Sequence, residues 1–185
     1  MSGATPVEML EAEHRVIQKM VAGMSVLAER LEGGEQVDVS LLDRIVVFLR
    51  TFADRCHHGK EESLLFPALI RRGVPSHGCP IGGLTMEHQK GRVMVGELAD
   101  AIPGYAAGEP LAREILVKTL KALVAFYPNH IWKEDYLLFP LAGKVLTPED
   151  QQELMEKFES VDRELGIGAH EAFDKVAAEL ERKVF

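Results

Sequence analysis

Apolar positions along this chain recur in alternating steps of three and four, the spacing that draws a stripe down one face of an α-helix. The first run holds Val7, Leu10, His14, Ile17, Val21, Met24, Ala28 and Leu31. Thr5-Pro6 with Glu8 supplies the ingredients of a capping box at its start, and Gly33-Gly34 stops it. A second helix is expected from Asp38 or Ser40 to about Arg72, bent or broken at Pro67. A loop rich in Gly, Pro and Ser, Gly73 to Gly83, leads to a third helix over Leu84 to Ile102. The segment Pro103 to Pro110 breaks the pattern again, and a fourth helix covers Leu111 to Val145. Thr147-Pro148-Glu149-Asp150 opens a shorter helix to Leu165, and Gly166 and Gly168 set off a last amphipathic segment ending at Phe185. Alternating strand patterns with hairpin turns are absent. The expected fold class is all-α: an antiparallel up-down four-helix bundle over residues 1–146, with a C-terminal helical extension over 147–185 packed on it.

The polar residues carry an internal repeat. His57-x-x-Lys60-Glu61-x-x-Leu64-Leu65-Phe66-Pro67 recurs as His130-x-x-Lys133-Glu134-x-x-Leu137-Leu138-Phe139-Pro140, and Glu13-His14 recurs as Glu87-His88. Each long helix thus offers one histidine on its apolar stripe. His14 lies roughly 20 residues before the first turn and His57 roughly 20 after it, and His88 and His130 straddle the third loop in the same manner. At a rise of about 1.5 Å per residue, antiparallel helices bring all four to one level. Glu61 and Glu134 each follow a histidine by four residues and project from the same face. A carboxylate in an apolar interior needs a compensating cation. The candidate metal ligands are therefore His14, His57, Glu61, His88, His130 and Glu134, a set of four nitrogens and two carboxylates that suits a pair of borderline-hard ions such as iron or manganese.

Two registers satisfy the spacing on the second helix, because His58 and Glu62 are also four apart. The repeat aligns His57 with His130 and His58 with Ile131, so His58 is expected behind the ligands or at the rim, and His58→Ala is expected to spare metal loading. His77 and His170 fall in loop or tail positions and are expected to be solvated. Tyr127 shares the face of His130, as a core tyrosine or a partner of the centre. Gly91 either makes room for a small ligand or permits close packing. Arg92 stands beside it.

Composition narrows the setting. Of 185 residues, 46% are hydrophobic and 27% charged, the balance of a globular protein. A formal net charge of −8 argues against nucleic acid, whose phosphates need a basic face. Neither a signal-peptide pattern nor an apolar run of bilayer length is present, so no membrane association and a cytoplasmic location are expected. Cys56 and Cys79 make no CxxC pair.

From HHGKEESLLFP through EHQKGR to HIWKEDYLLFP, residues 7–145 resemble the hemerythrin-like (HHE cation-binding) family. The resemblance implies a four-helix bundle holding two iron ions, carboxylate-bridged by Glu61 and Glu134 and usually oxo-bridged. Oxygen carriers of this kind have a fifth histidine four residues after the third-helix one, where this chain has Arg92. They also end in an aspartate five after the last histidine, where Asp135 stands, although the repeat favours Glu134. The set is more similar to the four-histidine, two-glutamate branch, which includes iron–sulfur repair proteins, iron-sensing domains and peroxide-decomposing members. The implied role is to bind or sense O2, NO or iron itself; the alternative is a di-iron enzyme acting on peroxide or NO, or an iron donor in repair. The expected partner is a small diatomic or peroxide molecule, and a homo-oligomer is left open.

Overall fold

The computed structural model describes residues 4–166 and 168–184, and among these six helices and no strand are found. Helix α1 is Pro6–Glu32, opened by the expected capping box: Thr5 accepts from the Glu8 amide, and the Glu8 carboxylate accepts from the Thr5 amide. Helix α2 spans residues 39–71, α3 is Ile81–Ala106, α4 spans residues 110–145, α5 is Pro148–Leu165 and α6 is Ala169–Val184. Helix α4 packs on both α1 and α3, α2 packs on α3, and α6 lies along α1. The second capping box, Thr147 with Asp150, starts α5.

The third helix departs from expectation. It continues through Pro103 to Ala106 instead of ending at Ile102, because the proline falls in the last turns, where Tyr105 still packs into the core. Tyr105 also accepts from the Val37 amide through its hydroxyl, which ties this end of the bundle shut.

Pro67 and Pro140 neither break nor sharply end their helices. In each case the turn before the proline is wound as a π-helix, at Glu61–Leu65 and Glu134–Leu138. Proline lacks an amide hydrogen and its ring crowds the carbonyl four residues back; a widened turn moves that carbonyl aside. The resulting bonds run from the Phe66 amide to the Glu61 carbonyl and from the Phe139 amide to the Glu134 carbonyl. A further and longer π segment, Leu49–His58, occurs in α2 alone and has no counterpart in α4, whose Pro110–Lys133 stretch is α-helical.

Two apolar clusters fill the interior. One runs from Ile17, Ala53 and Met94 to Ile131; the other holds Leu10, Leu65, Phe66, Leu84, Leu138 and Phe139. Between them every long helix contributes its polar residues, so a single polar layer crosses the bundle. The last two helices add to both clusters, α5 through Leu154 and Phe158 and α6 through Ala177 and Leu180.

Gly23 lets α6 approach α1: a methyl there would lie 2.5 Å from Leu180 Cγ. Helix propensity favours Gly23→Ala by up to about 1 kcal/mol, yet the clash should turn this into a net loss of about 1–3 kcal/mol. Leu180→Ala in the same chain should recover part of it. Urea denaturation of the two single variants and the double variant tests this; a Gly23→Ala protein more stable than wild type would refute the close approach.

Candidate metal centre

All six residues singled out by spacing meet in the polar layer, and all are at most 2% exposed. Donor atoms of His14, His57, Glu61 and Glu134 lie within 4.8 Å of one another, and those of His58, His88 and His130 form a second such group. His14 Nε2 is 3.0 Å from His57 Nε2 and 3.1 Å from Glu134 Oε2. His88 Nε2 is 3.4 Å from both Glu61 Oε2 and Glu134 Oε1, so the two carboxylates stand between the groups.

Each histidine is held from behind by a carboxylate on its Nδ1. Glu13 of α1 takes His57 of α2 at 2.9 Å, and Glu62 of α2 takes His88 of α3 at 2.7 Å. Glu87 of α3 takes His130 of α4 at 3.0 Å, and Asp135 of α4 returns to His14 of α1 at 2.7 Å. The ring closes around the bundle, each helix orienting the histidine of the next. With Nδ1–H donating to a carboxylate, Nε2 keeps its lone pair and faces inward. Asp135, which competes with Glu134 by spacing alone, is thereby placed on His14. The repeated phenylalanines stack on the same rings, Phe139 on His14 and Phe66 on His88.

The electrostatics fit a cation. Both oxygens of Glu61, one of Glu134 and Nε2 of His58 and His130 are buried without a hydrogen-bond partner. His130 Nε2 lies 3.0 Å from Glu134 Oε1 without the angle of a hydrogen bond, as expected of two donors aimed at a common point. Burial and the neighbouring Glu134 push the Glu61 carboxyl well above its usual range. Burial also opposes ionisation of Glu134, but His130, His14 and His88 outweigh it and hold that carboxyl well below. Burial works against protonation of His14, yet Asp135 and Glu134 draw it up to about 9. Imidazole nitrogens with carboxylate oxygens are the donor set of iron or manganese.

His58 is not at the rim. It is 3% exposed and stacked on His88 with ring centroids 3.9 Å apart. Arg92, where the resemblance places a fifth histidine, is 2.7 Å from Asp54 and 3.0 Å from Glu62. It thus braces the carboxylates behind His58 and His88. Gly91 leaves space for Phe126, whose ring would be 3.4 Å from an added methyl and which stacks on His130. Tyr127 is buried, and burial raises its phenol so that it stays protonated. A cavity of about 350 Å3 lined by His58, Asp54, Gly91, Arg92, Val95 and Tyr127 reaches the edge of the centre.

Beyond Glu13 the network continues to the last two helices, which spacing did not reveal. Lys60, fully buried, is 2.5 Å from both Glu13 Oε1 and Asp162 Oδ1, and His170 is 2.9 Å from Asp162. His170, one-third exposed, is thus a partner of α5 and not wholly solvated. Glu13, Cys56, Asp162 and His170 also cluster closely enough to suggest a cation, but the Lys60 ammonium already supplies the positive charge. Burial first, and then Glu13, push the Cys56 thiol up to about 12, so it is a packed core residue. His77 and Cys79 are exposed.

The sequence pattern described as "Hemerythrin HHE cation binding domain" matches residues 5–142. The chain belongs to this hemerythrin family. Uncharacterized proteins of Mycobacterium bovis and Mycobacterium tuberculosis are each 27% identical to it over 175 residues, covering 94% of this chain and 68% of the relative. No solved structure matches. The family's cation-binding character agrees with the His and Glu groups of the polar layer, and no helix among the described residues is long and apolar enough to cross a membrane.

Lys60 and Lys133 are equivalent in the repeat but not in environment, since Lys133 pairs with Glu87 at 41% exposure. Lys60→Met should cost about 3–5 kcal/mol by stranding the buried carboxylate of Glu13, whereas Lys133→Met should cost less than about 1 kcal/mol. Thermal and urea unfolding of the metal-free proteins measure both; equal losses would contradict the asymmetry.

Proposed function

We propose that this chain holds two iron ions in the polar layer, His14 and His57 serving one and His88 and His130 the other, with Glu61 and Glu134 shared between them. The observation that carries this reading is the pair of fully buried carboxylates lying between two groups of inward-facing imidazole nitrogens. Such an arrangement is costly as bare charge and is balanced by cations. Iron, once bound, supplies a redox-active Lewis acid able to take up a small molecule.

We further propose that the centre binds or senses a small ligand such as O2, NO or iron itself. The cavity beside His58 is wide enough for a molecule of a few atoms and is lined by Leu49, Gly91, Val95 and Tyr127 together with Arg50, Asp54 and Arg92. The chain's own groups orient the histidines and keep bulk water from the carboxylates. Arg92 is engaged by Asp54 and Glu62, so it holds the wall together instead of reaching toward a ligand. A second reading, an enzyme acting on peroxide or NO, draws on Tyr127, a protonated phenol on the cavity wall.

Metal analysis of the protein as purified should give close to two irons per chain, with charge-transfer absorption in the near ultraviolet after aerobic loading. Retention of zinc alone, or no such absorption, would count against a redox centre. A stable spectral shift when O2 or NO is added to the reduced protein supports binding, while rapid O2 evolution from added peroxide supports the enzyme.

A further inference from the structure

We infer that His58 is a fifth nitrogen donor to the centre, so that its two cation positions are unlike: three imidazoles at the His58–His88–His130 end and two at the His14–His57 end. This rests on the two-ion reading above, and goes beyond the six residues that spacing selects.

Four observations carry it. His58 Nε2 is buried with no hydrogen-bond partner, while its Nδ1 lies 3.4 Å from Asp54 Oδ1. That is the two-ended arrangement of His130, a carboxylate behind and a free nitrogen in front, and His14, His57 and His88 likewise have a carboxylate on Nδ1 and Nε2 turned toward the centre. Secondly, a ring nitrogen of His58 falls within 4.8 Å of donor atoms of both His88 and His130. A core histidine present only for packing would have both nitrogens satisfied or one left toward water.

The third observation explains how adjacent residues both face inward. In an α-helix consecutive side chains diverge by about 100°, so one of His57 and His58 would point away. Both lie in the π-wound segment Leu49–His58, whose wider turn narrows that divergence. The corresponding stretch of α4 is α-helical, and Ile131 there packs into the apolar cluster. The extra donor therefore breaks the repeat where the winding breaks it. Lastly, Arg92 of α3 lies 2.7 Å from Asp54 and 3.0 Å from Glu62, and so braces the carboxylates behind His58 and His88 alike.

Anaerobic titration of the metal-free protein with Fe(II), followed by chelator competition, tests this. Wild type should take up two equivalents, and a Mössbauer spectrum of the loaded protein should show two distinct iron environments. His58→Ala, and His58→Gln as a size-preserving second variant, should keep one equivalent and bind the other more than about 100-fold more weakly, beyond the effect of losing an orienting partner. Added imidazole, entering through the cavity beside residue 58, should restore the second equivalent to His58→Ala; helical content by circular dichroism checks that the variants fold. Two tightly bound equivalents in both variants, with an unchanged Mössbauer spectrum, would overturn the assignment of His58 alone. Fewer than two equivalents in wild type would overturn the two-ion reading and this inference with it.

Discussion

Glu61 and Glu134 face one another in an interior from which water is excluded, and a pair of buried carboxylates is tolerated only where one of them keeps a proton or positive charge comes between them. The rest of the polar layer answers that constraint. Histidines on all four long helices point their Nε2 atoms at the same space, and their Nδ1 atoms are secured by a ring of carboxylates that passes from each helix to the next. Apolar clusters above and below keep the dielectric low, which strengthens attraction to a cation and raises the cost of leaving the site without one.

Winding, as much as composition, aims these groups. The two prolines of the repeated Leu-Leu-Phe-Pro element force widened turns that begin at the carbonyls of Glu61 and Glu134, and the phenylalanine before each proline stacks on a histidine of a neighbouring helix. A motif that reads as core and bend is therefore part of the support of the centre. The longer π segment of α2 departs from the internal symmetry and brings His58 inward beside His57.

Much of this architecture was readable beforehand. Heptad spacing and cap residues located the helices, and the repeat separated His57 from its neighbour and paired it with His130. Glu13, Glu87, Lys60 and Lys133 belonged to the same repeated elements, and their recurrence was the available sign that they support the histidines. Other features depend on information that spacing lacks. Inward placement of His58 needs π winding, which an assumed 100° step hides. The partnership of Asp162 with Lys60 and His170 joins segments remote in sequence, and continuation of α3 through Pro103 follows from the packing of Tyr105.

The ring of orienting carboxylates has a consequence for oxidation state. Asp54 is held down to about 2 and Glu13, Glu62 and Glu87 are also lowered, against the pull of burial, by the histidines and basic side chains they contact. Arg92, Lys60 and Lys133 are the basic partners of this ring and of Asp54 beside it, against the ring carboxylates Glu13, Glu62, Glu87 and Asp135 and that of Asp54. Anionic surroundings favour the more highly charged form of any ion at their centre. For the iron proposed above, the scaffold would bias valence as well as position, and each lysine or arginine on the ring would trim its reduction potential.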